Sequence, residues 1–482
     1  MPIFEGADEE SHFCSIDYIV HEKKIPNVLI NDGCFIWHPP LYYALLSPLT
    51  IPFNLPRFDS ATVRENPKGN LLRKGEFAQF IHTKEELLFK WNSLQLEIHF
   101  LRLLTSIFAI LMFITAWKIS GIVFSNSTPR YLSLLLFFNP MFLHIFSTLT
   151  NVTLISLLAT IIIAIDIKYK RNKGYIPIFL QGLLLGLGFI TKISAVLLIP
   201  AWLIITFVQY KQRKYSFAKV ITQTTVLFTG FFITAGWYIL RNLLLYGGII
   251  EESASSRKFG QNYHDLLLEQ VGLLNYVNSI VLTFFKTFWS GYGALTIKFP
   301  EIVNIFLLIL TILVSYSLLL KRKHFNHGLI VSLIYAISII GGLFIMNFRL
   351  AAMHAKDLFP AYMPLALLFG YGLFNLRSSL SKNLPKVLLT LVVLTGTYVF
   401  SQNAIIKFIK AVLDVPFQGY KFLPEIVFKM AVTFIIMLLI IFLFKRLKFS
   451  NTNIIKVANS LAIIDLLILF FSTYLLYKNF IF

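Results

Sequence analysis

Charged side chains are scarce, 14% of 482 residues against a hydrophobic share of 57%. So little polar surface cannot cover a soluble body of this size, which excludes a water-soluble enzyme. It also excludes a disordered chain, a collagen and a coiled coil. Cysteine is nearly absent, with Cys14 and Cys34 alone, and no Cys/His spacing indicates zinc. No Gly-Lys-Ser/Thr phosphate loop occurs. No repeat of 20–50 residues is evident. No cleavable leader is expected either, because Met1 and Pro2 are followed by Glu5, Asp8, Glu9 and Glu10 with no apolar stretch.

What is abundant is long apolar runs. They predict spans at 98–117, 131–149, 152–167, 176–191, 193–209, 220–246, 301–320, 328–347, 357–376, 386–402, 426–444 and 459–477. At about 20 residues per crossing the expected fold is an all-α integral membrane bundle of about twelve transmembrane helices. Two regions follow: 1–97, an outer first loop, and 98–482, the polytopic domain.

The net charge of +20 is unevenly spread. Residues 1–97 hold 9 Lys/Arg and 13 Asp/Glu, while the remainder holds 34 and 10. The basic groups fall in short clusters on alternate connections, from Lys118/Arg130 through Lys168–Lys173, Lys211–Lys219, Lys321–Lys323 and Arg377–Lys386 to Lys445–Lys456. Such a pattern sets membrane orientation rather than a nucleic-acid face, so no nucleic-acid partner is expected. It puts 1–97 outside the cytoplasm. An acidic loop starting at Met1 then has no helix ahead of it. Either the tail crosses unaided or a further N-terminal helix is missing from this chain; the missing helix is the expectation.

The first loop is rich in chemistry. Residues 7–22 predict a short helix whose Phe13, Ile16, Tyr18, Ile19 and Val20 rest on the bilayer. Residues 38–53, opening His38-Pro39-Pro40-Leu41-Tyr42-Tyr43, are too short and proline-broken to span, and predict an interfacial or re-entrant element. An aromatic stretch at 272–292 reads similarly. Asp8, Glu9, Glu10 and His12 form an acidic cluster, with Asp8 and His12 one turn apart. It reads either as a general base near a low-dielectric interface or as helix-start charge favoured by the macrodipole. Lys192 is the only charge between Lys173 and Lys211; it faces a cavity or snorkels to the surface. Arg241 forks onto a phosphate or anchors a helix end. Arg349, His354 and Lys356 add positive groups on the same side, and together these cations suit an anionic substrate such as a phosphate. Cys14 and Cys34 are either bridged in an oxidising compartment or two free thiols. Asp465, in the last predicted span, reads as a paired acid of the bundle interior.

The order of these features resembles the GT-C superfamily of polytopic glycosyltransferases, in its protein O-mannosyltransferase-like and aminoarabinose-transferase-like branch. The carrying motifs are Asp8-Glu9-Glu10-Ser11-His12-Phe13, His38-Pro39-Pro40-Leu41-Tyr42-Tyr43, Arg102-Leu103-Leu104, Gly186-Leu187-Gly188 through Lys192, Gly236-Trp237-Tyr238 to Arg241-Asn242, and Leu358-Phe359-Pro360-Ala361. The resemblance implies a polyprenyl-phosphate sugar as donor and transfer to a glycan, lipid or protein hydroxyl on the outer face of a bacterial plasma (inner) membrane. Configuration would invert. Asp8, with Glu9 beside it, is implied as the catalytic acid pair, Asp8 being the base. Lys192 and Arg241 would bind the phosphate. His12, His38, Tyr42, His354 and Lys356 would line and close the pocket. No metal ligands are implied; divalent-metal dependence, sugar and acceptor stay open. Asn151-Val152-Thr153 and Met353-His354-Ala355-Lys356-Asp357 depart from the commoner family runs. The rival class is a transporter or flippase of a polar lipid, which predicts inverted repeats and broken midplane helices. Here the charges gather at one face instead.

Overall fold

The computed structural model describes residues 3–27, 38–59, 80, 82, 86, 90–169, 174–212, 216–249, 273–291, 299, 301–350 and 354–379. The predicted spans at 386–402, 426–444 and 459–477, with Asp465, lie outside them. Among the described residues the regular elements are helices: α1 (Glu9–Glu22), α2 (Leu41–Leu46), α3 (Ser93–Val123), α4 (Ser127–Leu134), α5 (Pro140–Phe146), α6 (Val152–Lys168) and α7 (Tyr175–Phe189). They continue as α8 (Leu198–Lys211), α9 (Phe217–Tyr246), α10 (Leu273–Trp289), α11 (Glu301–Lys321), α12 (His327–Leu350) and α13 (Tyr362–Ser379). Short 3-10 turns at Ile193–Leu197 and Ala355–Ala361 lead into α8 and α13.

Six of the described helical segments are long and apolar enough to cross a membrane: Ser93–Val123, Ile193–Lys211, Phe217–Tyr246, Val303–His324, His327–Asn347 and Ala355–Leu376. Large apolar side chains on their outer faces, such as Leu103, Ile110, Leu240, Leu244 and Ile312, are exposed. Lipid rather than water suits such a surface. The long helices start and stop where local chemistry says they should. At the start of α3, Asn92 accepts from the Gln95 amide at 2.9 Å and the Gln95 side chain accepts from the Asn92 amide at 3.0 Å, a reciprocal cap. α9 begins on a Ser216 cap and ends at Gly247, whose φ of 66° a residue with a Cβ adopts only with strain.

Two sequence expectations change. The predicted span 131–149 is broken into α4, a 3-10 turn at Leu135–Phe138, and α5. Pro140 has no amide to continue a helix, and Asn139 instead accepts from the Met141 amide at 3.0 Å to start a new one. The apolar face of α1 also does not rest on lipid. Phe13 and Ile16 are buried in one cluster with Phe4, Tyr42, Tyr43, Phe80, Ile98 and Leu101, and Tyr18 is buried as well. Protein, not bilayer, covers that face. The 38–53 element is too short to span, as expected, and is an apolar helical segment, Leu41–Phe53.

Close approach fixes α7 on α9. A Cβ on Gly182 would lie 2.1 Å from the Leu227 carbonyl oxygen, and one on Gly186 would lie 2.5 Å from that of Phe231. Small residues one turn apart let the two backbones touch, which sets where the turn after α7, carrying Lys192, emerges. Cys14 is disulfide-bonded, and Cys34, outside the described residues, is the chain's only other cysteine; the free-thiol alternative falls.

The amino-terminal segment is tied down by His82. Its Nε2 lies 2.7 Å from Glu5 Oε1 and its Nδ1 lies 2.9 Å from Glu86 Oε2, while Ile3 and Phe80 donate backbone amides to the same carboxylates. Burial pushes the imidazole down, but hydrogen bonds to Glu5 and Glu86 outweigh it and lift the group to about 9. The raised folded value stabilises the protein fully below the ordinary histidine range and loses that contribution as pH rises through 9. Thermal melts are therefore expected to weaken between pH 7 and pH 10, by up to about 3 kcal/mol at the basic end. His82→Gln should flatten that stretch of the profile; an unaltered slope in the variant would show that another group titrates.

Candidate active site

Asp8 sits at the first position before α1, with a left-handed φ of 62°. An aspartate there ordinarily caps its own helix, but this side chain makes no cap hydrogen bond. It reaches across the fold and accepts from Lys356 Nζ. Glu9, the next residue, holds the backbone in place. Arg102 of α3 donates to it twice, Nε to Oε1 at 2.8 Å and a terminal nitrogen to Oε2 at 2.6 Å. The Leu149 amide adds a bond at 2.9 Å and the Gly6 amide one at 3.2 Å. Burial pushes the Glu9 carboxyl up, but Arg102 and these amides outweigh it and hold it below its usual value. Both Glu9 oxygens are thus engaged, and it is 1% exposed. The Asp8 side chain, by contrast, is 61% exposed.

Lys192 arrives from the turn after α7. Its amide donates to the Gly188 carbonyl at 2.8 Å, and the Leu41 amide donates to the neighbouring Ile190 carbonyl at 2.9 Å, joining α2 to this turn. Its Nζ lies 2.7 Å from Asp357 Oδ1. Lys356 and Asp357 come from the Ala355–Ala361 turn. There the Ala355 amide donates to Thr287 Oγ1 of α10 at 2.9 Å and the Lys356 amide to His354 Nδ1 at 2.9 Å. Packing of Phe359 and Tyr362 among Phe142, Phe146 and Phe288 fixes the turn from below. Two lysines and two aspartates from three distant stretches thus form a chain of alternating charge.

Imidazoles surround it. His12 Nδ1 lies 2.8 Å from the Tyr43 hydroxyl, and the His38 ring stacks on His12 at 5.6 Å. Burial, then the Lys356 charge, pushes His12 down to about 3. Burial and Lys192 likewise push His38 well below its ordinary value. His354 falls to about 3 through burial and Lys356. All three are neutral at physiological pH and offer hydrogen bonds rather than charge. For Asp8 the ammonium of Lys356 dominates and holds the carboxyl well below the usual range.

The structure therefore brings together Asp8, His12, His38, Lys192, His354 and Lys356. Tyr42 is fully buried beneath them, its hydroxyl accepting from the Thr150 amide at 3.0 Å. Arg241 has other contacts: a terminal nitrogen donates to the Pro26 carbonyl at 2.8 Å, the other terminal nitrogen to Asn242 Oδ1 at 3.2 Å, and its guanidinium lies over Tyr246. That arrangement matches the anchoring alternative. Sequence reasoning missed the roles of Asp357 and Arg102. An arginine inside an apolar helix signals a buried acid partner, and that signal was present. Among the described residues no group of three His, Cys, Asp or Glu side chains is arranged to hold a metal.

No family model matches the chain, and no curated relative does. Solved structures do. ArnT from Cupriavidus metallidurans bound to undecaprenyl phosphate is 13% identical with a TM-score of 0.49, over 91% of this chain and 68% of its own. Its apo form is 14% identical at 0.48, over 90% and 66%. The archaeal oligosaccharyltransferase AglB from Archaeoglobus fulgidus, in complex with an inhibitory peptide and a dolichol-phosphate, is 13% identical at 0.42, over 84% and 53%. The chain thus spans about two thirds of the length of the first and about half of the last. What the site can do chemically rests on the residues above.

Proposed function

We propose that the chain is a membrane glycosyltransferase that moves a sugar from a polyprenyl-phosphate donor to an acceptor hydroxyl at the extracytoplasmic face. One observation carries the reading: an exposed carboxylate, Asp8, accepts from Lys356, and the neighbouring Asp357 lies against Lys192, the two lysine side chains being only 10% and 13% exposed. Lysines so enclosed suit a phosphate, and the open carboxylate beside them suits a hydroxyl. The basic clusters on alternate connections support the outer location of this face. A bridged Cys14 supports an oxidising compartment.

In the proposed reaction the acceptor hydroxyl gives its proton to Asp8 as its oxygen bonds to the anomeric carbon. The bond from that carbon to the phosphate oxygen breaks, and its electron pair leaves with the lipid phosphate. Attack from the face opposite the leaving group inverts the centre. Lys192 and Lys356 offset the charge that grows on the phosphate. Neutral His12, His38 and His354 hydrogen-bond sugar hydroxyls without competing for the phosphate. Glu9 and Arg102 hold Asp8 in position from behind.

Transfer from a radiolabelled polyprenyl-phosphate sugar to added acceptors, in detergent or nanodiscs, is the direct test. Covalently labelled acceptor is expected. Movement of the lipid between leaflets with no new glycoside would instead establish the flippase class. Lys192→Glu should raise the donor KM by about tenfold or more, on the scale of a lost charge-assisted contact; an unchanged donor dependence would remove Lys192 from the phosphate site.

A further inference from the structure

Of the four charged groups in the site, Asp357 is the one the proposed reaction leaves unused. Its carboxylate lies 2.7 Å from Lys192 Nζ, and the two side chains are 12% and 13% exposed. The two arrive very differently. Asp357 is borne by a turn whose amides are bonded to Thr287 and His354 and whose aromatics are packed. Lys192 is a point charge on a flexible four-carbon stem. An ammonium this enclosed needs a negative partner, and a carboxylate oxygen offers it the same charge and acceptor geometry as a phosphate oxygen.

We propose that Asp357 stands in for the donor phosphate, holding Lys192 by its carboxylate until a lipid phosphate displaces it and reclaiming the lysine when the product lipid phosphate departs. This rests on the glycosyltransferase reading and names the competitor the donor meets at its own lysine. Binding at Lys192 is then an exchange of anions, and the lysine stays paired throughout the cycle. Asp357 acts through Lys192 and is a positioning residue, not a catalytic one.

The inference predicts an effect opposite in sign to that of a structural support. Asp357→Asn keeps the shape but removes the competing charge. With the full chain in nanodiscs, undecaprenyl phosphate should bind this variant about tenfold more tightly than wild type. In turnover the donor KM and kcat should fall together, because release of the lipid phosphate slows. Asp357→Glu, which restores the charge, should return both toward wild type. Equal or weaker binding by Asp357→Asn, with wild type binding normally, overturns the exchange and leaves Asp357 as a plain support for Lys192. Wild type that fails to bind the lipid phosphate overturns the glycosyltransferase reading and the exchange with it. Should Asp357→Asn not fold alone, it is prepared with undecaprenyl phosphate throughout. Recovery of folded protein only with the lipid supports the exchange, and failure to recover it overturns the exchange.

Discussion

Asp8→Asn is expected to lower sugar transfer by about a thousandfold, the middle of the range for removing a general base. The amide has the size and shape of the carboxylate but cannot take a proton. Expression should survive, because the Asp8 side chain is largely exposed and makes no cap bond for α1. The pH profile separates a base from a mere counter-charge. Lys356 holds the Asp8 carboxyl well below the usual range, so in wild type the group is ionised from mildly acid pH upward and the acid limb of kcat/KM lies low. In Lys356→Gln that restraint is gone, and the limb should move upward toward the ordinary carboxylate range. The direction follows because a proton leaves a carboxylic acid less readily once the neighbouring cation is lost. Retained turnover in Asp8→Asn, with an acid limb that Lys356→Gln does not move, would take the base away from Asp8.

A second large effect is expected at the Glu9–Arg102 pair, where the readout is folding. Arg102→Met leaves the Glu9 carboxylate buried with only backbone donors, at a cost of about 3–5 kcal/mol. Glu9→Gln leaves the guanidinium without its fork-to-fork partner and should cost somewhat less, since the amide oxygen still accepts from Leu149. The double variant is expected to cost clearly less than the two single changes combined, with a coupling of about 1–3 kcal/mol measured by denaturant melts in detergent. Additive costs would mean that the two groups are held independently by other contacts. Transfer activity should fall in each variant that remains folded, because the residue before Glu9 is Asp8 and its left-handed backbone is anchored there.

Much of the architecture was legible because membrane burial acts on composition. Helices α3, α6, α7, α9, α11 and α12 coincide with apolar runs that lipid or protein must cover. The exceptions are local. The run 131–149 has the hydropathy of a span, yet Asn139-Pro140 divides it, since a missing amide and a side-chain cap outweigh hydropathy at a single position. The face of α1 looked suited to a bilayer because amphipathicity states that a surface is apolar and not what covers it. The site was legible in part for a similar reason. Lys192 is a lone charge between apolar runs, and Asp8 and Lys356 stand in short charged clusters beside them, conspicuous in one dimension. Their partners were not, because Arg102 is 93 residues from Glu9 and Lys356 is 348 from Asp8.

By itself the sequence determined that this chain lives in a membrane, how its basic connections alternate, and which few charges are too costly to be incidental. Those properties follow from transfer free energies that are local to each segment. Only the tertiary structure decided that Lys356 faces Asp8 and Lys192 faces Asp357, that Glu9 is engaged with Arg102, and that Arg241 is bound to Pro26 and Asn242. Pairing depends on distance in space, and Coulomb attraction in a low-dielectric interior discriminates over a few ångströms that separation along the chain does not encode.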